Sequence, residues 1–389
     1  MRHADKDIIS RFPVGYYEFH PNVSLNFQLN RFWGWCGEKQ MFDELREVSP
    51  RIKSYDDWVR EMFALGERAL SENRSLPAAY YFKAAVFFTG DDDPRNKPAI
   101  DRFCHILLSE NKVSESECYS VPYQNCHLSA YRLKPDQPLG TIIIFGGFDS
   151  YILEWLPAAV ALRDAGLDTI IFDGPGQGTV LDAGLTMTPD WHLPVTAILD
   201  YFKVSDVTLL GFSLGGGLVL RAAARELRIR RAICFDVCND LFEVFIHSLK
   251  ISGLDKIAEN SDQMLPEIVN AAVMEGERRD LLSYWAFAQG KRVMGAAAPA
   301  EVLKALRSYH TKDIASLVEQ DVLLMAGTGD HYIPLKMLGE QMGDLVNARS
   351  ITARTFTRQE CAQNHCQIGN VGLALEVILD WMDQTGGRK

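Results

Sequence analysis

The chain has 389 residues, of which 47% are apolar, with a formal net charge of −11 and a sequence pI near 5.4. This length and apolar content predict one large domain with an accessory one. The negative charge argues against nucleic acid or an anionic membrane as a partner. No apolar run reaches the length of a membrane-spanning helix, and no signal-peptide pattern follows the first residues, so we expect a cytoplasmic protein.

The N-terminal part of the chain carries helical patterns. Apolar residues recur three and four positions apart in segments such as 56–63 and 78–85. We therefore predict an N-terminal helical or lid domain over residues 1–125. The acidic run at 91–93 has two interpretations, a metal site or a solvated loop that breaks the helices, and the loop is the simpler one.

Eight aromatic residues lie in the first 35 positions, more than twice the average density of the chain. They are Phe12, Tyr16, Tyr17, Phe19, Phe27, Phe32, Trp33 and Trp35. One interpretation is a lid that lines an aromatic substrate pocket. The alternatives are ordinary packing of an N-terminal segment or the contact of a homodimer, because aromatic residues are enriched at interfaces.

Short strands that alternate with helices begin near residue 126. The predicted strands cover residues 127–133, 141–145, 169–172, 207–210 and 231–235. Such alternation predicts a mostly parallel sheet with helices on both faces, an α/β fold over residues 126–389. Helical segments replace the pattern over 239–312, and strands resume at 321. We expect this insertion to form a helical cap.

A G-x-S-x-G motif at residues 211–215 follows an apolar strand and precedes a helical stretch. Flanking glycines allow a turn so tight that the hydroxyl of Ser213 projects from the top of the sheet. The same turn directs backbone N–H groups and a helix N-terminus at the position where an oxyanion would form. The alternative is a glycine-rich structural turn, but the context on both sides favours a nucleophile.

An acid and a histidine should follow the nucleophile in that order. Asp330 lies in a glycine-rich loop after the strand-like run at 322–326, and His365 lies between a late strand at 350–356 and the last helix. His331 is the nearest competitor of His365. Three carboxylates lie just past the 231–235 strand, where each could replace Asp330 as the acid, bind a substrate hydroxyl, or be a helix cap or loop residue: Asp236, Asp240 and Glu243.

These residues, with the stretches at 143–150 and 172–178, resemble the α/β-hydrolase superfamily. They resemble most a subgroup with a long N-terminal helical extension, which includes 2,6-dihydroxypseudooxynicotine hydrolase and the fungal pigment hydrolases that shorten polyketide chains. The resemblance implies a triad of Ser213, Asp330 and His365. It also implies oxyanion donors at the backbone N–H groups of Leu214 and Phe148. The H-G-G-G loop of many lipases is missing. Candidate substrate-binding residues are Gly147, Asp149 and Asp240.

The resemblance favours hydrolysis of a carbon–carbon bond next to a carbonyl, in an aromatic or polyketide-like small molecule of secondary metabolism. The alternatives are a carboxylesterase or lactonase acting on a bulky ester, a triad-bearing cyclase or acyltransferase, and a binding receptor without catalysis. No cofactor is expected, because the loop at 173–178 lacks the ending of a phosphate-binding P-loop. No metal is expected either, because the eight cysteines are scattered and form no zinc pattern.

Overall fold

A computed structural model describes residues 10–249, 266–277 and 280–386. The helices within these ranges are α1 (Val23–Cys36), α2 (Lys39–Val48), α3 (Tyr55–Ser71), α4 (Ser75–Val86), α5 (Asn96–Glu110), α6 (Leu156–Asp164), α7 (Gly178–Asp182), α8 (His192–Phe202), α9 (Leu214–Ala223), α10 (Leu241–Ser248), α11 (Pro266–Glu277), α12 (Leu281–Met294), α13 (Pro299–Leu306), α14 (Lys336–Asp344) and α15 (Val371–Gly386). None of the described helices is both long and apolar enough to cross a membrane.

One eight-stranded sheet forms the centre of the fold. Its strands are β1 (Cys118–Tyr123), β2 (Cys126–Leu133), β3 (Thr141–Phe145), β4 (Asp168–Phe172), β5 (Val207–Phe212), β6 (Ile229–Phe235), β7 (Asp321–Gly327) and β8 (Ser350–Phe356). They lie in the order β1-β2-β4-β3-β5-β6-β7-β8. The pairs β1–β2 and β2–β4 are antiparallel, and every other pair is parallel. The predicted mostly parallel sheet is therefore confirmed.

Successive side chains of the central strands enter two different hydrophobic layers, because side chains alternate between the faces of a sheet. On β3, Ile142 and Ile144 pack in the layer that contains the N-terminal helices, α6 and α15. Ile143 and Phe145 pack in the opposite layer, which contains α8, α9 and helices from the segment between β6 and β7. Both faces are covered, which explains the nearly continuous apolar runs of these strands.

One strand of the sheet was not predicted from the sequence. β1 lies inside the region predicted to be helical, so the sheet begins at Cys118 rather than near residue 126. β1 is short, carries Pro122 and lies at the edge of the sheet. Proline is tolerated in such an edge strand because half of its backbone groups need no partner, but it weakens the strand pattern in the sequence.

The segment between β6 and β7 contains α10, α11, α12 and α13. The predicted cap over 239–312 also includes residues 250–265 and 278–279, which lie outside the described residues, as do residues 1–9 of the predicted N-terminal domain. The division of the chain into these domains stays a prediction.

Candidate active site

Ser213 lies at the turn between β5 and α9. Its backbone has φ 60° and ψ −122°, a conformation that a residue with a side chain adopts only under strain. The backbone N–H of Ser213 donates to the carbonyl of Phe235 at 2.6 Å, which fixes the turn against the end of β6. The turn therefore holds the hydroxyl of Ser213 at the carboxyl edge of the sheet.

The glycines around Ser213 are required by close backbone contacts. A Cβ atom at Gly211 would overlap the carbonyl oxygen of Gly215, and one at Gly216 would overlap the carbonyl oxygen of Asp236. A side chain at either position would push α9 away from the strands. The glycine run thus lets the helix begin directly beneath the nucleophile.

His365 connects Ser213 to a carboxylate. Its Nε2 atom lies 2.9 Å from Oγ of Ser213, and its Nδ1 atom lies 2.7 Å from Oδ2 of Asp330. The second oxygen of Asp330 accepts hydrogen bonds from the backbone N–H groups of Tyr332 at 2.8 Å and Ile333 at 3.0 Å. The loops after β5, β7 and β8 therefore bring together the three side chains that the sequence singled out.

A second carboxylate reaches the same histidine nitrogen. Oδ2 of Asp236, at the end of β6, lies 3.1 Å from Nδ1 of His365. Asp236 also accepts a hydrogen bond from the backbone N–H of Cys366 and another from the side chain of Gln367, both at 2.7 Å. The alternative acid of the sequence analysis thus lies beside Asp330 rather than replacing it.

Burial and charge shift the pKa values around this histidine. Burial disfavours the imidazolium form of His365, but the carboxylate of Asp330, with its neighbours, outweighs burial and raises the pKa of His365 well above its ordinary value. Burial raises the pKa of Asp330. His331 packs against Phe27 with ring centroids 4.9 Å apart, and burial lowers the pKa of His331 to about 3. His331 is therefore neutral.

Backbone N–H groups near Ser213 come from two elements. The N–H of Leu214 belongs to the first turn of α9, whose backbone N–H groups lack partners within the helix. Across the turn, the N–H of Gly147 donates to Oγ of Ser150 at 3.1 Å, and a Cβ at Gly147 would lie 2.9 Å from Cβ of Ser213. Gly147 therefore allows close approach of its loop, while its own N–H is already engaged. The assignment of Leu214 and Phe148 as oxyanion donors stays a prediction.

A mostly apolar cavity of about 80 Å³ adjoins Ser213 and His365. The N-terminal helix α1 contributes Phe27 and Arg31 to its wall, and the loop after β3 contributes Phe148 and Asp149. Most of the rest of the lining is apolar: Trp155, Phe212, Leu214, Leu241, Val244, Phe245, Leu249, Leu282, Trp285, Ala286, Ile333 and Ile368. The N-terminal helices and the segment between β6 and β7 both reach the nucleophile.

Arg31 is the charged residue of this cavity lining that was not predicted from the sequence. Its guanidinium donates to Glu154 at 2.5 and 2.9 Å, to both oxygens of Asp149 at 3.3 Å, and to Gln28 at 3.3 Å. These five contacts engage every N–H of the group, so Arg31 holds Asp149 in place at the cavity wall. Its position four residues after Phe27 on α1 was the signal available in the sequence, since such residues share a helix face.

Comparison with known proteins supports this fold. No protein-family model matches the chain. It is 28% identical over 315 residues to the hydrolase acrC of Aspergillus aculeatus, covering 71% of this chain and 72% of the relative. It is 27% identical over 283 residues to the 20-hydroxy-prefusarin hydrolase FUS2 of Gibberella moniliformis, covering 65% of each. The solved structure of 2,6-dihydroxy-pseudo-oxynicotine hydrolase matches with a TM-score of 0.58 and 19% identity, covering 85% of this chain and 88% of that one.

The chain has the α/β-hydrolase fold, and its relatives are named hydrolases. The motifs at 143–150, 172–178 and 211–215 predicted this superfamily, and the sheet, the relatives and the solved structure agree with the prediction. The match to 2,6-dihydroxy-pseudo-oxynicotine hydrolase covers 85% of this chain, which is more than residues 126–389 alone could supply. The resemblance to the subgroup with a helical extension is therefore confirmed.

Of the residues predicted to bind substrate, Asp149 lines the cavity, while Gly147 and Asp240 are not among the lining residues. The side chain of Asp240 accepts from the backbone N–H of Glu243 at 3.0 Å and caps α10. The carboxylate of Asp240 lies at this helix end because α10 begins at the next residue, Leu241. Asp173 is buried and accepts from the backbone N–H of Ile152 at 2.8 Å, which agrees with a structural turn at 173–178.

The aromatic residues of the N-terminal segment divide between the two interpretations. Phe27 lines the cavity, and its ring centroid lies 5.9 Å from that of His365. Most of the others pack among themselves or on the sheet, as in the contacts of Tyr17 with Trp33 at 5.2 Å and of Trp35 with Trp155 at 4.8 Å. The ring of Phe27 therefore covers the site, while most of the other aromatic side chains of this segment anchor α1.

Within the described ranges, one group of side chains has the spacing of a metal site: Asp236, His365 and Cys366, with ligand atoms within 4.8 Å of one another. The carboxylate of Asp236 and both ring nitrogens of His365 are already engaged in the hydrogen bonds described above. Burial also raises the pKa of Cys366 to about 11, which keeps the thiol protonated. This donor set therefore does not fit a metal ion.

Proposed function

We propose that this α/β-hydrolase is a serine hydrolase that cleaves the carbon–carbon bond of an aromatic or polyketide-like ketone. The observation that carries the proposal is the chain of hydrogen bonds from Ser213 through His365 to Asp330, at 2.9 and 2.7 Å. A binding receptor would have no need of this arrangement. These hydrogen-bonded residues face a cavity that α1 and α12 cover. Such a cover limits the access of bulk water to the reacting groups.

In the proposed mechanism, His365 accepts the proton of Ser213 as Oγ attacks the carbonyl carbon. Asp330 holds the tautomer of His365 and stabilises the imidazolium. The N–H groups of Leu214 and Phe148 stabilise the oxyanion. The bond from the carbonyl carbon to the adjacent carbon then breaks, and its electron pair leaves as an enolate.

The imidazolium of His365 returns its proton to the carbon of the enolate, which gives the shortened ketone and an acyl-enzyme on Ser213. Water, deprotonated by His365, attacks the acyl group and releases a carboxylic acid. The net reaction adds one water across one carbon–carbon bond. The departing carbon must carry the electron pair of the broken bond, so the pKa of the corresponding C–H acid must be low. The substrate is therefore a 1,3-diketone or a ketone on an electron-rich phenol ring.

Asp149 supports this choice of bond over an ester bond. Its carboxylate lines the cavity beside the oxyanion loop and is held by Arg31, with side-chain exposure of 21%. A carboxylate accepts hydrogen bonds, and the enol form of a 1,3-diketone or an ortho-hydroxyphenyl ketone offers an O–H next to the scissile carbonyl. An ester of a simple alcohol offers none. Gly147 permits the loop that carries Asp149 to approach Ser213.

Product analysis tests the proposal. Incubation with 1-phenylbutane-1,3-dione in ¹⁸O-labelled water is expected to give a carboxylic acid with one labelled oxygen and the complementary ketone, and Ser213→Ala should give neither. Phenyl acetate serves as the ester comparison. Cleavage of phenyl acetate together with failure on a panel of 1,3-diketones and acylphenols would contradict carbon–carbon hydrolysis and leave an esterase.

A further inference from the structure

A second cavity, much larger and more polar, adjoins the one at Ser213. It has a volume of about 720 Å³, which is within the range of small-molecule sites. Phe148, Asp149, Ser150 and Trp285 line both cavities, so the two cavities adjoin at these residues. The cavity beside Ser213, at about 80 Å³, is smaller than the roughly 150 Å³ apolar cavity that can hold benzene. The second cavity, which shares these four residues, offers the space that a bulky substrate bound at Ser213 needs beyond the first.

The carboxylates on the walls of the second cavity already have cationic partners. Asp101 pairs with Lys97 at 2.7 Å, and Asp149 pairs with Arg31 at 3.3 Å. Both remaining carboxylates pair with Arg292 of α12: Asp91 at 3.3 Å and Asp182 more closely. Among the residues that the structure describes, these pairs use every cation of the cavity wall except one, Lys83.

Lys83 lies on α4, and only 2% of its side chain is exposed. The nearest carboxylate oxygen belongs to Glu154 and is 3.9 Å from Nζ, beyond hydrogen-bond distance, while both oxygens of Glu154 accept from Arg31. Within the described parts of the chain, Nζ has no hydrogen-bond acceptor. Three aromatic rings surround it with centroids at 5.1 to 5.8 Å: Phe32, Phe87 and Tyr151.

Removing an ammonium from water is costly, and Glu154, which lies 3.9 Å from Nζ and is shared with Arg31, offsets this cost only in part. Burial accordingly lowers the pKa of Lys83. The aromatic faces attract the cation but supply no lone pair. The side chain therefore has an unused donor at the wall of a cavity large enough for a ligand.

We infer that Lys83 is the binding residue for an anionic oxygen on the part of the substrate that lies beyond Asp149, in the second cavity. The group is a carboxylate or an ionised phenol or enol, and a planar ring that carries it packs among Phe87, Tyr151 and Trp285. This inference rests on the proposed function only for the link to Ser213. It defines the substrate class as an acidic ketone with a short acyl end and a larger anionic end.

Binding without turnover tests the site. In a Ser213→Ala background, 4-hydroxybenzoate is expected to bind and raise Tm, and the neutral analogue 4-hydroxybenzyl alcohol is expected to bind at least tenfold more weakly. Lys83→Met should weaken the binding of 4-hydroxybenzoate by about ten- to hundredfold, the usual value of a hydrogen bond to a charged group. Lys97→Met, at the exposed rim and already paired with Asp101, should change it less than twofold.

Turnover provides a separate measurement. For 4-acetoxybenzoate and phenyl acetate, the ratio of kcat/KM for the acidic over the neutral ester should fall at least tenfold in Lys83→Met, mainly through KM for the acidic ester. An unchanged ratio, or an equal fall in Lys97→Met, would overturn the inference. If the parent protein hydrolyses none of the diketones, acylphenols and esters while 4-hydroxybenzoate still binds specifically, the proposed function is contradicted and the anion site is supported.

A structural role of Lys83 is separated from a binding role by stability. Because Lys83→Met removes a buried charge whose ion pair with Glu154 is long, at 3.9 Å, and leaves Glu154 paired with Arg31, the ligand-free variant should have a Tm equal to or above that of the parent. Lys83→Gln, which keeps a polar end without the charge, should show the same loss of anion binding. A Tm that falls in both variants, with 4-hydroxybenzoate still bound normally, would show that Lys83 is structural and refute the site.

Discussion

Oδ2 of Asp236 lies 3.1 Å from Nδ1 of His365, the nitrogen that Asp330 also contacts at 2.7 Å. Both carboxylates are almost fully buried, with side-chain exposures of 1% and 2%. Each has its own hydrogen bonds to neighbouring amides, so each stays in place when the other is neutralised. The histidine is thus oriented from β6 and from β7 together.

The first prediction concerns these two acids. Loss of the only acid of a triad lowers kcat by on the order of 10⁴, because the wrong tautomer of the histidine is favoured. Here we expect Asp330→Asn to lower kcat by about 10², since Asp236 can still accept from Nδ1. The double variant Asp236→Asn, Asp330→Asn should reach the full loss of about 10⁴.

Steady-state kinetics of the two single variants and the double variant measure this coupling. If Asp330→Asn alone reaches the full loss and Asp236→Asn changes kcat by less than twofold, the acid function belongs to Asp330 alone. Circular dichroism of all three variants controls for folding.

The second prediction concerns the nucleophile. Ser213→Ala should lower kcat by several orders of magnitude, because removal of a triad nucleophile leaves only binding and the oxyanion donors. Retention of more than about a tenth of the parent activity by Ser213→Ala would refute the assignment.

The third prediction is the pH dependence. His365 must be neutral to accept the proton of Ser213, and its folded-state pKa lies above the ordinary value of 6.5. As pH falls, the imidazole therefore becomes protonated already above pH 6.5, and kcat/KM should decrease there. Asp236→Asn removes one negative neighbour of the imidazolium and should move this limb to lower pH. His331→Gln should not move the limb, because His331 is neutral down to about pH 3.

A profile of kcat/KM between pH 5 and 10 tests the assignment of the limb. An acid limb centred below pH 6.5 in the parent protein, or one that stays in place in Asp236→Asn, would show that the carboxylates do not raise the pKa of His365 as the structure indicates.

The fourth prediction separates glycines required by packing from ordinary ones. Gly216→Ala places a Cβ atom on the carbonyl oxygen of Asp236, so we expect a loss of about 3 kcal/mol in the free energy of unfolding. Gly339→Ala, on α14, places its Cβ in open space and should stabilise by about 0.5–1 kcal/mol through helix propensity. Denaturant unfolding of both variants measures the difference, and a neutral Gly216→Ala would contradict the close contact.

Most of the sheet and the central side chains of the site were predictable because they follow local rules. The strand before Ser213 is a continuous apolar run, and the positions of Asp330 and His365 after later strands are a consequence of parallel topology. The edge strand β1 was not predictable, since its burial pattern is weak and Pro122 interrupts it.

Contacts between segments that lie far apart in the sequence were not predictable either. Arg31 and Lys83 look like ordinary polar residues of helices, and only the packing of α1 and α4 on the loop after β3 brings both of them to Glu154. The cap role of Asp240 depends on where α10 begins, a boundary that residue type alone does not fix.

The last prediction concerns the N-terminal helix as part of the active site. Phe27 on α1 is buried and lines the cavity at Ser213, with its ring 5.9 Å from that of His365. Phe27→Ala should enlarge this cavity and raise the ratio of kcat/KM for phenyl benzoate over phenyl acetate by about tenfold, because a larger acyl group then fits. The variant should also lose about 3–5 kcal/mol of stability.

Leu29→Ala provides the matched control for that loss of stability. Leu29 is buried on the same helix but is not among the residues that line either cavity, so its truncation should cost a comparable 2–5 kcal/mol without changing the substrate ratio. Kinetics are measured below the Tm of both variants. An equal ratio in Phe27→Ala and the parent would mean that α1 stabilises the fold without shaping the acyl cavity. A rise confined to Phe27→Ala would make the N-terminal helix a determinant of acyl specificity.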